Sequence, residues 1–522
     1  MKIFKSLVSI ILVSLLVFSL AACGGNNDTN DNELTIGVSS AISTLDVNQE
    51  AGIINYYIAA IVSEGLIALG NDGAPHPGLA LSWDSDDYTV WTFDLRPDAY
   101  FSDGTPVTID DIIWSIERAL DVTQSPGVNI HFGEQVIAVT RIDDTTLEIT
   151  LAGPNPSFIW AVSNAGGLFV TSKAWGEEAG SIGSPADLIL GSGPYKVTEF
   201  APGSHVTLQA QDNWWGGTPE ISNIRFDFIT DEATRLLAFT QGSIDFALNI
   251  PIDQSNQWAG VDGAEVHFFA DRSYYGLTID VTVPPFDNVY VRQAVAHAVN
   301  SQGIVDAILG GHGTAATSIT PPEQFSSVMP LEEARERLAA TEHFSFNMEQ
   351  AIGAFQQSGV EPFSTTIFYP DSFQDVGNAS LIIAEALREL GIDATVTEIP
   401  LDQWLSEIGN GENGIAWMIL FATSPEPSEM VRWLLSGGGP GTNPANFEDE
   451  VIANLITSVA AQSAVDGIDE LLEAHSLAQE QVLYIPVWWG QAAIAWGERI
   501  DVIDFNSYTM LSQNWVQNFS FK

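Results

Sequence analysis

The sequence predicts a mixed α/β protein with more than one lobe, and its length and two kinds of pattern support this. The chain has 522 residues, which at roughly 100–200 residues per domain corresponds to about two to four compact parts. Short segments in which apolar and polar residues alternate are typical of strands with one buried face. In the C-terminal half, strand and helix patterns follow one another, which favours parallel strands with helices packed outside the sheet.

The N-terminal third contains strand and helix patterns in turn. They are a strand at 34–38, a helix at about 53–66, a strand at 90–95, a helix that begins after Thr108 and a strand at 147–151. Thr108 stands three residues before Asp111, which is the spacing of a capping box, and the isoleucines that follow fall on one helical face. The region from about 64 to 168 is therefore predicted to be a compact α+β unit.

Beyond residue 190 the predicted elements are separated by turns rich in glycine and proline. They are a strand at 224–229, helices at 232–241, 289–309 and 379–390, and strands at 392–399 and 414–421. Gly391 stands just after a predicted helix, where a residue in the left-handed conformation often ends the helix. The segment 414–421 is continuously apolar, as expected for a strand that is buried on both faces of a sheet.

The chain is strongly acidic. Its 67 Asp and Glu residues against 17 Lys and Arg residues give a net charge of −50. Binding to nucleic acid requires a basic surface, so this composition excludes a nucleic-acid partner. An acidic surface can attract cationic ligands by electrostatic steering, and it can equally serve solubility or salt tolerance without any link to a ligand.

The N-terminal residues have the features of an export signal. Residues 1–22 carry two lysines, a short apolar run and small residues before Cys23, the only cysteine of the chain. The sequence Leu-Ala-Ala-Cys at 20–23 resembles a bacterial lipobox. Cys23 is therefore predicted to be lipidated and to anchor the protein to a membrane that faces the periplasm or the cell exterior; a buried core cysteine is the alternative. Residues 23–33 are polar and turn-prone, and they are predicted to form a flexible tether.

The sequence does not carry the motifs of common enzymes. It contains no P-loop, zinc-protease, nucleophile-elbow or EF-hand motif. Its eight histidines lack the spacing of metal ligands, so neither a metal nor a cofactor is predicted. Pairs of carboxylates arise by chance among so many acidic residues and do not by themselves indicate a hydrolase. Tryptophan is frequent, with 15 residues, and such rings either pack in the core or bind peptides, sugars and cations.

An ordered series of motifs resembles a known protein family. The series comprises LSW at 81–83, WTFDLR at 91–96, FSDGTPVTIDDIIWSIER at 101–118, GSGPYK at 191–196, NWWGGTP at 213–219, QGSIDFA at 241–247, PPFDNVYVRQAVAHAVN at 284–300 and YIPVWW at 484–489. Together they resemble the signature of the family 5 extracellular solute-binding proteins, the oligopeptide- and dipeptide-binding proteins of ABC importers. The resemblance extends over about residues 34–500. We interpret most of these motifs as structural; Arg96 and Asp103, for example, are expected at a strand end and in a turn.

This resemblance implies a two-lobed fold of the periplasmic-binding-protein type (type II), with an extra appended α+β domain and a hinge between the lobes. The implied boundaries are 34–63, 169–275 and 485–522 for a split lobe I, 64–168 for the appended domain and 276–484 for lobe II. The ligand would lie between the lobes and be enclosed when they close like a hinge.

The segment after the apolar strand bears on the chemistry of the ligand. In peptide-binding members of the family it reads Ala-Asp-aromatic-x-Asp/Glu-Pro, and the resemblance implies that its first Asp pairs with the α-ammonium group of the peptide. This chain has Ala-Thr-Ser-Pro-Glu-Pro at 422–427, so Thr423 stands in place of that Asp. A hydroxyl group does not neutralise an ammonium group, and an unpaired buried cation is costly. Either Glu426 or Glu429 replaces the Asp, or the ligand has no free amine at this place.

Eight side chains are predicted to line the cleft. They are Trp417 and Phe421 on the strand, Thr423 and Glu426 beyond it, Tyr274 and Tyr275 near the crossing between the lobes, and Trp488 and Trp489 after Pro486. Packing in the core is the alternative for each of them. Aromatic rings combined with polar groups suit a sugar, whereas a peptide would use main-chain hydrogen bonds to strand edges.

The sequence therefore predicts an exported lipoprotein that is the substrate-binding component of an ABC importer. It would act as a monomer, capture a peptide or peptide-like solute outside the cytoplasmic membrane and deliver it to the permease with its ATPase, without performing chemistry. The same receptor role for an oligosaccharide or another non-peptide solute is one alternative. A surface hydrolase on this fold is the alternative from a different class, and a sensor without transport is a third.

Overall fold

The computed structural model describes residues 32–522, apart from positions 134, 342, 412–413, 423 and 437–441 and the side chains at 402 and 405. The predicted signal peptide, Cys23 and the tether up to residue 31 lie outside the described residues. Leu34–Lys522 form one compact unit. In the part of the chain that is described, no helix has both the length and the apolar composition that crossing a membrane requires.

The strands are numbered in chain order. They are β1 Glu33–Val38, β2 Ile67–Leu69, β3 Pro75–Pro77, β4 Ala80–Asp84, β5 Val90–Leu95, β6 Val136–Arg141, β7 Thr146–Leu151, β8 Tyr195–Ala201, β9 His205–Ala210, β10 Asn223–Phe228, β11 Phe246–Ala247, β12 Glu265–Ile279, β13 Thr314–Ala315, β14 Phe363–Pro370, β15 Ile392–Ile399, β16 Ile415–Phe421, β17 Tyr484–Trp496, β18 Ile500–Val502 and β19 Phe519–Phe521. The strands predicted at 34–38, 90–95, 147–151, 224–229, 392–399 and 414–421 are therefore confirmed to within a residue or so.

The helices are described by their bounds. The α-helices are Ile53–Val62, Ile109–Leu120, Phe158–Ala161, Lys173–Glu178, Glu232–Thr240, Ser255–Ala259, Val289–Ala298, Ser301–Ile308, Leu331–Ala339, Met348–Ser358, Gln374–Glu389, Leu401–Glu407, Glu429–Leu435, Glu450–Ala460 and Ile468–Glu480, and short 3₁₀ turns lie at Asn129–His131, Ile252–Gln254, Pro322–Phe325, Thr509–Leu511 and Trp515–Asn518. The prediction of one helix over 289–309 is wrong. The helix ends at Ala298 because Asn300 caps a new one, with its side-chain oxygen accepting a hydrogen bond from the Gly303 amide at 3.0 Å.

One large sheet contains most of the strands. Its order is β15-β14-β16-β12-β17-β11-β1-β10-β9-β8, and β13 pairs with β17. β14 is parallel to β15 and β16, and β1 is parallel to β11, whereas β12 is antiparallel to β16 and β17. A separate four-stranded sheet has the order β4-β5-β7-β6. The parallel pairs and the alternation of strands with helices confirm the predicted α/β class.

Hydrophobic cores lie on both faces of the large sheet around β16. Alternate residues of this strand enter different cores, with Ile415, Trp417 and Ile419 on one face and Ala416 and Met418 on the other. This confirms the prediction of a strand buried on both faces. A further core is built around β1 and β8–β10, and another fills the space between the four-stranded sheet and its neighbouring helix.

Helix Ile109–Leu120 is held at both ends. At its start the predicted capping box is present, because the Thr108 amide donates to Asp111 Oδ2 at 2.8 Å. Near its end, Arg118 donates from Nη1 to Asp46 Oδ1 at 3.2 Å and from Nη2 to Asp46 Oδ2. Both side chains are buried, with exposed fractions of 9% for Arg118 and 4% for Asp46. This ion pair joins the helix to the segment that precedes helix Ile53–Val62.

The Glu64 cluster consists of Glu64, Arg96, Trp215 and Gln513. Glu64 Oε1 accepts hydrogen bonds from Trp215 Nε1 at 2.7 Å and from Gln513 Nε2. The guanidinium carbon of Arg96 lies 3.2 Å from the centroid of a Trp215 ring. Burial raises the pKa of Glu64, and the hydrogen bonds from Gln513 and Trp215 oppose this shift. Two motifs of the ordered series thus meet in a buried structural contact, in agreement with their interpretation as structural.

His475 makes the stability of the protein sensitive to acid. The side chain has no exposed surface, its Nε2 lies 3.1 Å from Thr320 Oγ1, and burial lowers its pKa from 6.5 to about 4. In this pH window the unfolded chain binds a proton that the folded protein does not, so stability falls as the pH drops. The full shift corresponds to about 3 kcal/mol. We expect urea titrations at about pH 7.5 and 4.5 to show that His475→Gln removes about 2–3 kcal/mol of the acid-induced loss.

The control for this measurement is His76→Gln. The His76 side chain is about half exposed (51%), and this variant is expected to lose as much stability in acid as the wild type. An equal acid-induced loss in His475→Gln and in the wild type would contradict the prediction.

Candidate functional site

The two longest strands, β12 and β17, run side by side and are interrupted by a bulge. They pair from Glu265–Ala270 with Gln491–Trp496 and again from Tyr274 onwards with Trp489. Between these two stretches, Asp271, Arg272 and Ser273 of β12 face Gly490 alone. A Cβ atom at Gly490 would lie 1.9 Å from Ser273 Oγ, so only glycine fits beneath the bulge. Arg272 has a φ of 65°, a strained conformation for a residue with a side chain.

An aromatic patch lies next to the bulge. The ring of Tyr275 stacks on Trp488 with the centroids 4.9 Å apart, and it meets the edges of Phe373 and Phe421 at 6.3 and 6.1 Å. Phe421 is the last residue of β16, and half of its surface (50%) is exposed. We call Tyr275, Phe373, Phe421 and Trp488 the aromatic patch. Three of its members, Tyr275, Phe373 and Phe421, keep accessible surface, whereas Trp488 is buried.

Asp271 is the acidic group of the bulge. Its Oδ1 accepts hydrogen bonds from the Ser273 amide at 2.9 Å and from Ser273 Oγ at 2.5 Å. Burial raises the pKa of Asp271, while the bonds from Ser273 oppose the shift. Burial also raises the pKa of Tyr57 to about 12. The charge of Arg272 lowers this pKa and the charge of Asp271 raises it. Tyr57 belongs to helix Ile53–Val62, so the bulge faces this helix.

Arg272 connects the bulge to two other parts of the chain. It is 6% exposed and donates from Nη1 to Gln324 Oε1 at 3.5 Å and to the Ser424 carbonyl at 3.4 Å. Its guanidinium carbon lies 4.4 Å from the ring centroid of Tyr508. The Tyr508 hydroxyl in turn donates to the Glu323 carbonyl at 3.0 Å. The bulge, the turn Pro322–Phe325 and the C-terminal segment thus form one connected structure.

The two glutamates predicted as substitutes for an aspartate at position 423 take part in local hydrogen bonds. Glu426 is 8% exposed and accepts from Ser428 Oγ at 3.0 Å; burial raises its pKa. Glu429 accepts from the Ser424 amide at 2.8 Å and from Ser424 Oγ at 2.5 Å. Both carboxylates therefore stabilise the turn that follows β16. Thr423 itself lies outside the described residues.

The remaining predicted site residues divide by exposure. Tyr275 and Phe421 keep accessible surface, whereas Tyr274, Trp417, Trp488 and Trp489 are buried. The indole groups of two of them make hydrogen bonds inside the protein, since Trp417 Nε1 donates to Ser380 Oγ at 2.6 Å and Trp489 Nε1 donates to the Ser318 carbonyl at 2.9 Å. Tyr275, Trp417, Trp488 and Phe421 come together, while Tyr274 enters the core on the other face. Contact of the buried residues with a solute stays a prediction.

Sequence reasoning missed four residues near the crossing: Tyr57, Asp271, Arg272 and Phe373. A signal for two of them was present, because Asp-Arg-Ser interrupts an otherwise aromatic and apolar strand at 271–273. Among the described residues, no group of three or more His, Cys, Asp or Glu side chains is placed to hold a metal ion. The arrangement is suited to binding by stacking, hydrogen bonds and charge.

Comparisons with known proteins show the family and the fold of this chain. The family model "Bacterial extracellular solute-binding proteins, family 5 Middle" matches residues 74–442. The periplasmic oligopeptide-binding protein OppA of Escherichia coli is 26% identical over 430 residues, which is 77% of each chain. The structure of HbpA2 from Haemophilus parasuis has a TM-score of 0.82 at 23% identity and covers 94% of this chain and 100% of its own.

A second solved structure of the same fold has a bound peptide. It is the ABC transporter-associated periplasmic binding protein DppA from Helicobacter pylori in complex with the peptide STSA, with a TM-score of 0.72 and 19% identity, covering 94% of this chain and 99% of its own. At these identities the two structures show the shared fold. Since the family model spans more than half of the sequence, the chain belongs to family 5 of the bacterial extracellular solute-binding proteins.

Proposed function

We propose that this protein is the substrate-binding component of an ABC importer. It captures a peptide or peptide-like solute outside the cytoplasmic membrane and delivers it to a permease with its ATPase, without performing chemistry on it. The family membership supports a solute-binding role. The names of the relatives support a peptide, since one is an oligopeptide-binding protein and another is in complex with a peptide.

The observation that carries this proposal is the pair of long adjacent strands β12 and β17, which we call the crossing because they would connect the two lobes. These strands lie in the middle of the large sheet, between β16 on one side and β11 on the other. The bulge and the aromatic patch are at this crossing. We propose that it is the hinge region between lobe I (34–63, 169–275 and 485–522) and lobe II (276–484), with 64–168 as the appended domain. A solute held there would be enclosed when the lobes close.

The proposal includes export and a lipid anchor at Cys23. It is supported by the signal-like residues 1–22 and the Leu-Ala-Ala-Cys sequence. A single acyl-modified cysteine followed by the tether 23–33 would hold the binding unit, as a monomer, near the permease.

Native mass spectrometry tests the proposed ligand class. Protein purified from cells that express the full chain would be weighed before and after mild unfolding. We expect the released material to be a ladder of peptide masses, because main-chain recognition tolerates many side chains. A single sugar-like or metal-containing mass would contradict a peptide ligand. If the purified protein carries nothing, a thermal-shift screen with defined peptides replaces this step, since a bound ligand raises stability by mass action.

A further inference from the structure

The carboxylate of Asp271 makes no ion pair within the described part of the chain, and the charge of Arg272 compensates it only in part. Ser273 supplies both of the hydrogen bonds to Oδ1, and no described residue donates to Oδ2. Among the described lysines, arginines and histidines, none makes an ion pair with it. A half-buried carboxylate without a cation is costly, because removal of water is not offset by a partner charge. The site is therefore incomplete in electrostatic terms.

The charge of the neighbouring Arg272 lowers the pKa of Asp271, but burial has the larger effect and raises it. The bulge gives these two consecutive residues different surroundings, and the guanidinium group packs over Tyr508 and donates to Gln324 and Ser424. Other acidic groups add to the negative potential around Asp271. Burial raises the pKa of Glu323, and the negative charge of Asp271 raises it further. The positive charge of Arg335 opposes this shift. A cationic group of a solute would be stabilised by this field.

The register of the strands places Asp271 and the aromatic patch on one face of the sheet. Tyr275 pairs with Trp488 and Ser273 pairs with Phe421. A Cβ atom at Gly490 would meet both Ser273 Oγ and Asp271 Oδ1, so these polar atoms lie on the same side as the residues at alternate positions. Burial raises the pKa of Tyr275, and the charge of the nearby Asp271 raises it further. Aromatic rings beside a carboxylate form an environment that favours an ammonium or guanidinium group.

Asp271 also lies near the segment after β16, in which Thr423 replaces the Asp expected from the family. Ser273 and Phe421 form the last pair between β12 and β16. Asp271 is two residues beyond this pair on β12, and Ser424 follows Phe421 by three residues in the sequence. The two segments stay adjacent past the ladder, because Arg272 donates to the Ser424 carbonyl. A carboxylate on β12 can thus serve a solute that also contacts the turn after β16.

We infer that Asp271 binds a cationic nitrogen of the solute, with Tyr275 and Phe421 flanking it, so that the ligands of this protein carry a primary amine or a guanidinium group at the bulge. This inference rests on the proposed role as a solute-binding protein. It does not require a peptide, since any solute with such a nitrogen satisfies it. It assigns the ligand-pairing carboxylate to β12 instead of to the segment after β16.

The test uses three probes on the full chain: tri-alanine, its N-acetylated form and the diamine cadaverine. Calorimetric titration is carried out on the wild type, on Asp271→Asn and on the control Glu265→Gln, an exposed acid at the start of the same strand. We expect Asp271→Asn to weaken the binding of tri-alanine or cadaverine by roughly 30-fold or more, as for loss of one partner of a buried charge pair. Glu265→Gln should bind like the wild type, and thermal unfolding should show that both variants fold.

The N-acetylated peptide distinguishes loss of the contact with Asp271 from a general effect of the substitution on the protein. We expect N-acetylation of tri-alanine to weaken its binding to the wild type strongly and to Asp271→Asn little, because the contact is already absent in that variant. The inference is overturned if Asp271→Asn binds amines with unchanged affinity, if acetylation has the same effect on both proteins, or if the wild type binds neither amine probe. Binding of cadaverine but not tri-alanine, with loss in Asp271→Asn, would support the inference while contradicting a peptide ligand.

Discussion

Replacing Arg118 with methionine is expected to lower the free energy of unfolding by about 3–5 kcal/mol, as for other broken buried ion pairs. The substitution keeps most of the apolar volume but leaves the Asp46 carboxylate, which is 4% exposed, without its cation. Both of the oxygens of Asp46 accept hydrogen bonds from this guanidinium group. Urea unfolding followed by tryptophan fluorescence measures the change.

The matched control is Arg141→Met in the same part of the chain. Arg141 pairs with Asp110 and Asp144, but its side chain is 41% exposed. Water screens such a pair, so its loss should cost far less than the loss of Arg118. The double variant Arg118→Met with Asp46→Leu should recover much of the lost stability, since it removes the stranded charge. Equal effects of Arg118→Met and Arg141→Met would contradict a special role for burial.

Replacing Trp417 with alanine is expected to destabilise the protein by about 3–5 kcal/mol, the usual range for large aromatic residues in a core. Trp417 has no exposed surface, packs against Trp488 with ring centroids 5.3 Å apart, and donates a hydrogen bond to Ser380 Oγ. Trp417→Phe keeps a ring but leaves the Ser380 hydroxyl without this donor, and it should cost about 1–3 kcal/mol. Both changes are measured by urea titration.

Phe421→Ala provides the contrast on the same strand. Phe421 is half exposed, so its truncation should change stability by less than about 1 kcal/mol. If its ring contacts the solute, truncation should weaken ligand binding by roughly tenfold, the value of one aromatic contact. A Trp417→Ala variant that keeps wild-type stability but loses affinity would contradict this division between packing and binding.

Local patterns predicted the elements whose interactions are local. The capping box at Thr108 and Asp111 depends on residues three apart, and the burial of β16 on both faces follows from its uniform apolar composition. The prediction of a single helix over 289–309 was wrong because one local interaction was overlooked. Its apolar periodicity continues past Val299, but the Asn300 side chain competes for a backbone amide and starts a second helix.

The site was predictable only in part. An excess of aromatic residues near β12, β16 and β17 was visible, and Tyr275 and Phe421 were among the residues chosen. Exposure, however, depends on which face of the sheet a residue occupies and on what covers it, as the burial of Trp489 under the Ser318 carbonyl illustrates. Asp271 was missed because 67 acidic residues hide any single one. The bulge that isolates its charge arises from pairing with Gly490, far along the chain.

The Glu64 cluster determines when the chain can finish folding. Glu64 and Gln513 are 449 positions apart in sequence, and Asn164 donates to the carbonyl of Leu511 in the same way. A growing chain that still lacks these last residues leaves the buried Glu64 carboxylate and the buried Asn164 amide with fewer hydrogen bonds than in the folded protein. Contacts of such long range form late and slow folding. We therefore expect the native state to form only after these last residues have been synthesised.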